Sequence, residues 1–368
     1  MTAAPPAPDL TAEDRLPADL LGAIRRLPKA ELHLHLDGSL RPATAYALAR
    51  ERGIDIGPTV DAARTRLVAP MPCADQARLL DAFDLPVAIL QDAEGLARVA
   101  EELVADVAAD GTRYAEIRWA PGLHTARGLA LRDGIAAVAR GAAAGAAAAG
   151  GGGRRIPGLL RTRGLSEARA VAEAAAAAAG TGVVALDLAG REAAAPDPLA
   201  FLPAFAIGRA AGLGVTCHAG EWGGAAQVRR ALGLDPDRIA HGAPAADDPA
   251  LCAELAARVV PLDLCPTSNV QAGVVPALAA HPLVRLHRAG VPVTLSTDDR
   301  TVSDLTLPRE IARAIVHLGA TPAEILALTE RALAAAFLAG EPAVRARLLG
   351  ALAAFAADEP LFRAPAAG

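Results

Sequence analysis

The chain has 368 residues, 53% of them hydrophobic and 21% charged, a composition typical of a globular protein with a substantial core and not of a disordered one. Its formal net charge is −5 and no basic stripe is present, so electrostatics argue against nucleic acid as a partner. The chain contains one lysine, Lys29, and no Lys-Ser/Thr pair, so a phosphate-binding P-loop is excluded. Lys29 is also the sole candidate for Schiff-base or carbamylated-lysine chemistry.

The N-terminal segment MTAAPPAPDLTAEDR lacks the basic and apolar regions of a signal peptide, and residues 1–20 are predicted to be a disordered tail. No run of 18 strongly apolar residues is present, so neither a membrane span nor a membrane partner is expected. The four cysteines are scattered and form no CxxC pair. This favours reduced thiols in a cytoplasmic protein over disulfides or a sulfur-ligated metal.

A short β-rich run, a turn and a long Ala/Leu/Arg stretch recur along the chain. Eight such runs are predicted strands: 30–35, 113–119, 156–160, 182–188, 214–218, 237–241, 258–264 and 291–297. Helix-like segments separate them, at 93–109, 165–179, 198–211, 223–233 and 247–257. Residues 21–360 are therefore predicted to form a single (β/α)₈ barrel domain, with an open doubly wound sheet as the alternative.

Three regions lie outside this repeating pattern. Segment 36–112 is too long for one crossover and predicts several extra helices that cap the barrel as a lid. Residues 141–153, GAAAGAAAAGGGG, are of low complexity and predict a helix end followed by a flexible glycine loop. The C-terminal helices that are expected to wrap the barrel cover residues 309–318, 322–337 and 342–357.

The first predicted strand ends in two histidines, within ELHLHLDGSL. Because strand side chains alternate between faces, His33 and His35 point the same way, into the barrel at the carboxyl end of the strand. Lys29 has the same parity but lies roughly 20 Å lower, at the other end of the barrel. Lys29 is therefore a poor candidate for catalysis.

Three later strands also end in polar residues: VTCHAGE contains His218 and Glu221, RIAHG contains His241, and VTLSTDD contains Asp298 and Asp299. The carboxyl ends of the strands of a parallel barrel converge on one face, where barrel enzymes carry their chemistry. Four histidines and three acids at four such ends predict a functional site and not a set of ordinary buried histidines.

Three imidazoles and one carboxylate suit a borderline divalent metal, zinc above all. His33, His35 and His218 supply the imidazoles and one of the two aspartates supplies the carboxylate. A catalytic zinc keeps a position for water and lowers the pKa of that water toward ~7. Glu221 can move a proton beside the water, while His241 and the second aspartate can orient water and substrate. These spare acid–base groups favour metal-assisted hydrolysis over a structural zinc.

The remaining signals are weaker. Trp119 and Trp222 lie at strand ends and either line a pocket or pack in the core. No G-x-S-x-G or P-C-x-x-C motif is present, which argues against a serine hydrolase and against the small cytidine-type deaminases. Structural or surface roles are predicted for the other histidines, which lie in loops or helices: His124, His281, His287 and His317.

The ordered set ELHLHLDGSLRP, VVALDLAGRE, VTCHAGE, RIAHG, LDLCPTSN and VTLSTDD resembles the adenosine deaminase family of metal-dependent aminohydrolases, over about residues 29–340. The resemblance implies a (β/α)₈ barrel with one zinc ion per chain. It implies His33, His35, His218 and Asp298 as the metal ligands, and so it distinguishes between the two aspartates.

The resemblance also implies roles around a purine substrate. Glu221 would pass a proton to ring nitrogen N1, and His241 would orient the attacking hydroxide. Asp299 would hydrogen-bond N7, the Gly190 backbone N–H would meet N3, and Asp37 would reach the 5′-hydroxyl side of the sugar. The implied reaction is the hydrolytic deamination of a 6-aminopurine nucleoside, adenosine or 2′-deoxyadenosine, to inosine or 2′-deoxyinosine and ammonia.

Two positions depart from the pattern of the family. Arg191 in LAGRE stands where many relatives carry an acid, and Arg300 in TDDR stands where many carry proline. Both arginines are predicted to face solvent, with pairing to an anionic substrate group as the alternative. Adenine and 6-amino-6-deoxyfutalosine, an intermediate of menaquinone synthesis, are the alternative substrates.

Two other functional classes compete with this hypothesis. One is a non-catalytic zinc-binding member of the fold, against which Glu221 and His241 argue, because metal binding alone requires neither. The other is a barrel hydrolase with two metals bridged by a modified lysine, against which the position of Lys29 argues. The sequence specifies no oligomeric state.

Overall fold

Eight strands pair in chain order into one parallel sheet in the computed structural model of the chain, which describes residues 12–73, 76–149, 152–192, 197–338 and 340–363. The strands are β1 Lys29–His35, β2 Thr112–Trp119, β3 Gly152–Leu160, β4 Ala185–Ala189, β5 Gly214–Ala219, β6 Arg238–His241, β7 Leu262–Leu264 and β8 Val293–Leu295. All eight predicted strands are confirmed. The sequential order confirms the (β/α)₈ barrel and rules out a doubly wound sheet, whose strand order would reverse.

The barrel closes between β1 and the segment that follows β8. The Ser296 hydroxyl accepts hydrogen bonds from the backbone N–H groups of Leu32 and His33, at 3.3 and 3.2 Å. Asp298 then donates its N–H to the His33 carbonyl at 3.1 Å and accepts the His35 N–H at 2.8 Å. The Ser296 hydroxyl and the backbone bridge of Asp298 thus replace a regular β8–β1 hydrogen-bond ladder. The bridge brings Asp298 beside the two histidines of β1.

Helices follow the strands and cover the outside of the barrel. Within the described residues they are α1 Ala18–Arg26, α2 Pro42–Glu51, α3 Val60–Leu67, α4 Gln76–Asp81, α5 Asp84–Ile89, α6 Ala93–Ala109, α7 Leu131–Ala149, α8 Leu165–Ala177, α9 Leu202–Ala210, α10 Gly224–Ala231, α11 Pro249–Arg258, α12 Pro266–Gln271, α13 Leu283–Arg288, α14 Leu307–Leu318, α15 Pro322–Ala335 and α16 Pro342–Asp358. Every predicted helical segment contains a helix, including the three at the C-terminus. The extra helices predicted before β2 are α2 to α6, and side chains of α4 and α5 line the cavity at the mouth of the barrel.

The helix end predicted within residues 141–153 is confirmed, since α7 runs through Ala149. The predicted glycine loop is shorter than expected, because Gly152 and Gly153 belong to β3, and residues 150 and 151 lie outside the described residues. The glycines serve close packing: a Cβ at Gly141 would lie 1.9 Å from the carbonyl oxygen of Ala97 on α6, and one at Gly145 would lie 2.6 Å from that of Glu101. The small residues therefore allow α6 and α7 to approach each other closely.

Two predicted boundaries also need correction. Of the predicted tail, residues 1–11 lie outside the described residues, but Ala12–Arg15 form a 3₁₀ helix with Ala12 buried, and α1 starts at Ala18. Structure therefore begins before residue 20. The strand predicted from residue 258 starts only at Leu262, because α11 continues to Arg258 and Val259 adopts a left-handed conformation at φ +53°.

Lys29 closes the amino end of the barrel. It is the first residue of β1 and is buried, and its ammonium donates to the carbonyls of Ile24, Leu27 and Arg25 at 2.8, 2.9 and 3.2 Å. These carbonyls belong to the last turn of α1 and to the residue after it, where a helix leaves acceptors unpaired. The predicted structural position of Lys29, away from the site-bearing strand ends, is confirmed.

All four cysteines are free, as predicted, and three of them are buried. In the part of the chain that the structure describes, no helix combines the length and apolarity that crossing a membrane would require.

We expect Lys29→Met to destabilise the protein by about 1–3 kcal/mol, because three carbonyls lose their donor inside the protein. Urea unfolding would measure the loss. Lys29→Arg, which keeps a cationic donor, is the matched control and should recover part of the stability. A fully stable Lys29→Met variant would contradict the structural role of this lysine.

Candidate active site

Three imidazoles and one carboxylate meet at the carboxyl ends of the strands. The Nε2 atoms of His33 and His35 lie 3.2 Å apart, and His218 Nε2 lies 3.1 and 3.2 Å from them. Asp298 Oδ1 is 3.0 Å from His33 Nε2 and 3.2 Å from His35 Nε2. The structure therefore brings together the four predicted metal ligands in one compact cluster.

The donor set fits a small divalent cation. Tetrahedral ligands at about 2.0–2.1 Å from a zinc ion stand roughly 3.3 Å apart, close to the separations in this cluster. The cluster also attracts positive charge. Burial by itself would lower the pKa of His35, but hydrogen bonding to Asp298 and the surrounding carboxyl groups outweigh it and raise the pKa to about 9.

A fourth histidine lies at the edge of this cluster. Donor atoms of His33, His218, His241 and Asp298 fall within 4.8 Å of one another. His241 Nε2 is nevertheless 3.8 Å from the nearer Asp298 oxygen and 3.7 Å from Glu221 Oε1, farther than His35 Nε2 is from its neighbours. This nitrogen is buried and has no hydrogen-bond partner in the part of the chain that the structure describes, so it is available to a group in the site.

Backbone strain marks two of these residues. His241 and Asp298 adopt φ angles of +66° and +68°, a left-handed conformation that non-glycine residues seldom take. Such strain persists where surrounding structure enforces it, often at functional sites. For Asp298, the two backbone hydrogen bonds to β1 supply that constraint. No pattern in the sequence predicted either left-handed conformation.

A second layer of polar groups holds the cluster, and sequence reasoning missed it. Asp187 Oδ2 lies 2.7 Å from His218 Nδ1, and the Ser268 hydroxyl donates to Asp298 Oδ2 at 2.7 Å. Burial opposes ionisation of Asp187, but His218 and Arg118 outweigh it and hold the pKa of this aspartate well below its usual range. An ionised carboxylate behind an imidazole orients the ring and strengthens it as a ligand. The available signal was an acid inside an apolar strand, LDL.

Two carboxyl groups of the site lie in surroundings that disfavour their charged form. Burial, followed by the charge of Asp298, raises the pKa values of Glu221 and Asp299 well above the usual range. Asp299 Oδ1 is buried and has no hydrogen-bond partner among the described residues. A Cβ at Gly38 would lie 1.7 Å from that oxygen, which explains the glycine in LDGS.

The loop that carries Glu221 is fixed by a residue to which the sequence analysis assigned no role. The Glu192 carboxylate accepts the backbone N–H groups of Gly220, Trp222 and Gly223, at 2.7, 3.0 and 2.5 Å. Three hydrogen bonds from one loop to a single carboxylate leave that loop little freedom. Its partners lie about thirty positions away along the chain, so no local pattern identifies this role.

A cavity of about 500 Å³ opens above the cluster. The three predicted substrate-contact residues, Asp37, Gly190 and Asp299, all line it. Gly190 has φ +93°, a conformation that favours glycine and presents its backbone at the wall. Apolar side chains form much of the remaining wall: Leu79, Phe83, Val87, Trp119, Leu123, Leu160 and Trp222. Both tryptophans therefore border the pocket, one of the two roles predicted for them.

The two arginines that depart from the family pattern have different environments. Arg191 is exposed, as predicted, and lies at the cavity rim. The prediction for Arg300 is wrong: its side chain is only 10% exposed and pairs with Asp110, and it lies 3.9 Å from the buried Glu31. Arg300 therefore pairs with the half-buried Asp110 beside the buried Glu31, away from the cavity lining, and is no candidate for binding substrate.

A parallel (β/α)₈ barrel with a histidine–carboxylate cluster at the carboxyl ends of its strands defines a hydrolase of the amidohydrolase type. The comparisons with known proteins agree. The adenosine deaminase family profile matches residues 28–354. The chain belongs to the adenosine deaminase family, and it is a hydrolase acting on C–N bonds.

Individual relatives and structures support this assignment. An adenosine deaminase of Enterococcus faecalis is 37% identical over 315 residues, 86% of this chain and 93% of that protein. The structure of an adenine deaminase from Arthrobacter aurescens superposes with a TM-score of 0.82 at 29% identity, covering 89% of this chain and 99% of the other. A zinc-bound amidohydrolase from Burkholderia ambifaria gives 0.85 at 27% identity, covering 96% and 98%.

We expect Gly38→Ala to lower the rate of deamination roughly 100-fold, because the added methyl group displaces Asp299 and with it the substrate. Ammonia release measures the effect. Gly350→Ala on the surface of α16, where a Cβ meets nothing within 4 Å, is the control and should leave activity unchanged. Equal activity of the two variants would contradict the close contact at Gly38.

Proposed function

We propose that this protein removes the 6-amino group of adenosine or 2′-deoxyadenosine by hydrolysis, giving inosine or 2′-deoxyinosine and ammonia. One observation carries the proposal: two buried carboxyl groups, Glu221 and Asp299, line the cavity beside the ligand cluster. Burial raises the pKa of each, which favours the protonated form. A purine ring presents acceptor nitrogens, N1 and N7, that two O–H donors can read. Carboxylic acids kept neutral by burial are a known means of donating hydrogen bonds at neutral pH.

We propose further that His33, His35, His218 and Asp298 hold one zinc ion per chain. Zinc bound there would act as a Lewis acid and lower the pKa of a water molecule toward ~7. The short distances among the four donor atoms support this ligand set. His241 Nε2 lies 3.8 Å from Asp298 and 3.7 Å from Glu221, between the ligand cluster and the proposed proton donor, and is left for hydrogen bonding.

The residues around the reacting carbon then have separate tasks. Glu221 donates its proton to N1 as the oxygen nucleophile adds to C6, which removes the aromaticity of the ring. His241 Nε2 faces the position of the attacking oxygen and hydrogen-bonds it. Ammonia leaves with one proton of the water molecule, and the other water proton replaces the one that Glu221 gave to N1. The products thus balance one nucleoside and one water molecule.

Three groups orient the rest of the substrate. The Asp299 O–H donates to N7, the Gly190 backbone N–H donates to N3, and Asp37 accepts a hydrogen bond from the 5′-hydroxyl. Donors held in place before the reaction lower the barrier without reorganisation. All three residues border the same cavity, which supports a substrate that spans from the base to the sugar.

The charge of the cavity favours a neutral nucleoside over a nucleotide. Its lining includes Asp37, Asp81 and Asp84, whereas its arginines are Arg118, which pairs with buried aspartates, and Arg191 at the rim. A phosphate needs cationic partners, which this arrangement supplies poorly. Arg191 is the observation that favours the second candidate, aminodeoxyfutalosine, whose far end is anionic.

We expect kcat/KM for adenosine and 2′-deoxyadenosine to exceed that for adenine and AMP by roughly 100-fold or more. Adenine lacks the 5′-hydroxyl that would hydrogen-bond Asp37, and AMP carries a phosphate in its place. Ammonia release from each compound, with aminodeoxyfutalosine included, measures this preference. If aminodeoxyfutalosine proves best, Arg191→Ala should weaken its binding and leave adenosine turnover unchanged. Preference for adenine would contradict the proposed substrate.

We expect Glu221→Gln to abolish turnover while the metal stays bound, because the variant keeps all four ligands and loses the proton. Elemental analysis should find one zinc ion per chain in this variant and in the parent protein. Asp298→Ala should lose the metal as well as the activity. Two metal ions per chain, or normal turnover by Glu221→Gln, would contradict the mechanism. Inactivity of the parent protein would support the non-catalytic alternative.

A further inference from the structure

A buried chain of hydrogen bonds leads from a backbone amide to the fourth histidine of the site. The Leu283 N–H donates to His281 Nδ1 at 3.2 Å. His281 Nε2 lies 3.0 Å from Asn269 Oδ1, and Asn269 Nδ2 lies 3.2 Å from His241 Nδ1. All three side chains are buried, and neither His281 nor Asn269 reaches the cavity wall.

The chemistry of the first link fixes the direction of every link. A backbone N–H can only donate, so His281 Nδ1 accepts and carries no hydrogen. The hydrogen of a neutral imidazole is then on Nε2, which donates to the Asn269 side chain. Burial lowers the pKa of His281 to about 3, which keeps the ring neutral.

The orientation of the Asn269 amide follows from the same reasoning. If the amide were flipped, its NH₂ would face His281 Nε2, and both nitrogens of that ring would have to accept, which a neutral imidazole cannot do. The amide oxygen therefore faces His281 and the NH₂ faces His241. His241 Nδ1 accepts this hydrogen bond, so the hydrogen of the neutral His241 ring lies on Nε2.

This tautomer explains why one histidine of four stands apart. A nitrogen that carries hydrogen has no lone pair for a metal, but it can donate to an oxygen. His241 Nε2 makes no hydrogen bond to any described residue and lies 3.7 Å from Glu221 and 3.8 Å from Asp298. By contrast, the ring of His218 has a carboxylate, that of Asp187, at its Nδ1. A carboxylate there favours hydrogen on Nδ1 and leaves Nε2 free to ligate.

We propose that Asn269 and His281 are positioning residues that lock His241 as the Nε2–H tautomer, so that it donates a hydrogen bond to the attacking oxygen and does not bind the metal. The kinetic part of this inference rests on the proposed deaminase function. The tautomer itself does not, because it is set by groups that contact neither metal nor substrate.

The decisive measurement is the tautomer of His241 in the zinc-loaded protein. Long-range ¹H–¹⁵N correlation spectra of ¹⁵N-histidine-labelled protein separate the two tautomers, and the His241→Asn variant assigns the signal. We expect hydrogen on Nε2 and a bare Nδ1. Hydrogen on Nδ1 in the parent protein would overturn the proposal, whether or not the protein deaminates adenosine.

Asn269→Asp is the sharpest variant, since it keeps the shape and replaces the donor with an acceptor. We expect the His241 signal to switch to the Nδ1–H form. We expect kcat to fall by roughly 10²–10⁴-fold with KM changed by less than about threefold, as for other enzymes in which an Asp/Asn exchange reverses a histidine tautomer. If the tautomer switches and kcat stays unchanged, the claim that the tautomer matters for catalysis is overturned, whereas the claim that Asn269 sets the tautomer stands.

His281 offers a matched pair of variants. In His281→Gln the side-chain NH₂ can still donate to Asn269 and its oxygen can accept from Leu283, so kcat and the His241 signal should stay close to those of the parent. His281→Leu removes both and should give a mixture of tautomers and a lower kcat. A merely structural role predicts that both variants lose stability while the tautomer signal of the folded fraction stays the same, and that result would count against the proposal.

Discussion

The two backbone hydrogen bonds between Asp298 and strand β1 are the constraint on which the site depends. They close the barrel where the β8–β1 ladder is incomplete, and they hold Asp298 at φ +68°. In that conformation the carboxylate lies 3.0 and 3.2 Å from the Nε2 atoms of His33 and His35. The same hydrogen bonds therefore close the barrel and assemble the ligand cluster. His218, on β5, completes the cluster from the other side of the barrel.

Burial in this barrel sorts its acids into two groups. Asp187 and Asp298 lie against imidazoles or arginine, and these charges hold their pKa values far below the usual range. For Glu221 and Asp299, burial and the charge of Asp298 outweigh any favourable neighbour, so their pKa values rise. Under the proposed mechanism the first group supports a cation and the second supplies O–H donors to the purine. The same low-polarity environment therefore produces two opposite chemistries, according to which neighbour each carboxyl group has.

The group beside the Nδ1 atom of His218 and of His241 determines what the Nε2 atom of that ring can do. Asp187 stands behind His218, and an asparagine amide stands behind His241. A carboxylate accepts a hydrogen bond, whereas the amide NH₂ donates one. His218 therefore presents an Nε2 lone pair to the site, and His241 presents an Nε2–H. Glu192 plays a comparable part for the loop of Glu221 by accepting three of its backbone N–H groups. Function in this fold rests as much on such supporting groups as on the residues that line the pocket.

The sequence by itself determined the barrel and all eight strands, and it placed four histidines and three acids at converging strand ends, because alternation along each strand and the convergence of parallel strand ends are local rules. The family resemblance then chose Asp298 over Asp299 as the predicted ligand and marked Asp37, Gly190 and Asp299 as predicted substrate contacts. Only the tertiary structure decided the environment of Arg300, the role of Glu192, the strain at His241 and the close packing of α7 against α6. These depend on contacts between segments distant along the chain: an arginine meets a buried acid, or a glycine meets a neighbouring helix, only after the barrel has closed. Hydrogen-bond partners and packing distances are properties of that closure, and no local pattern records them.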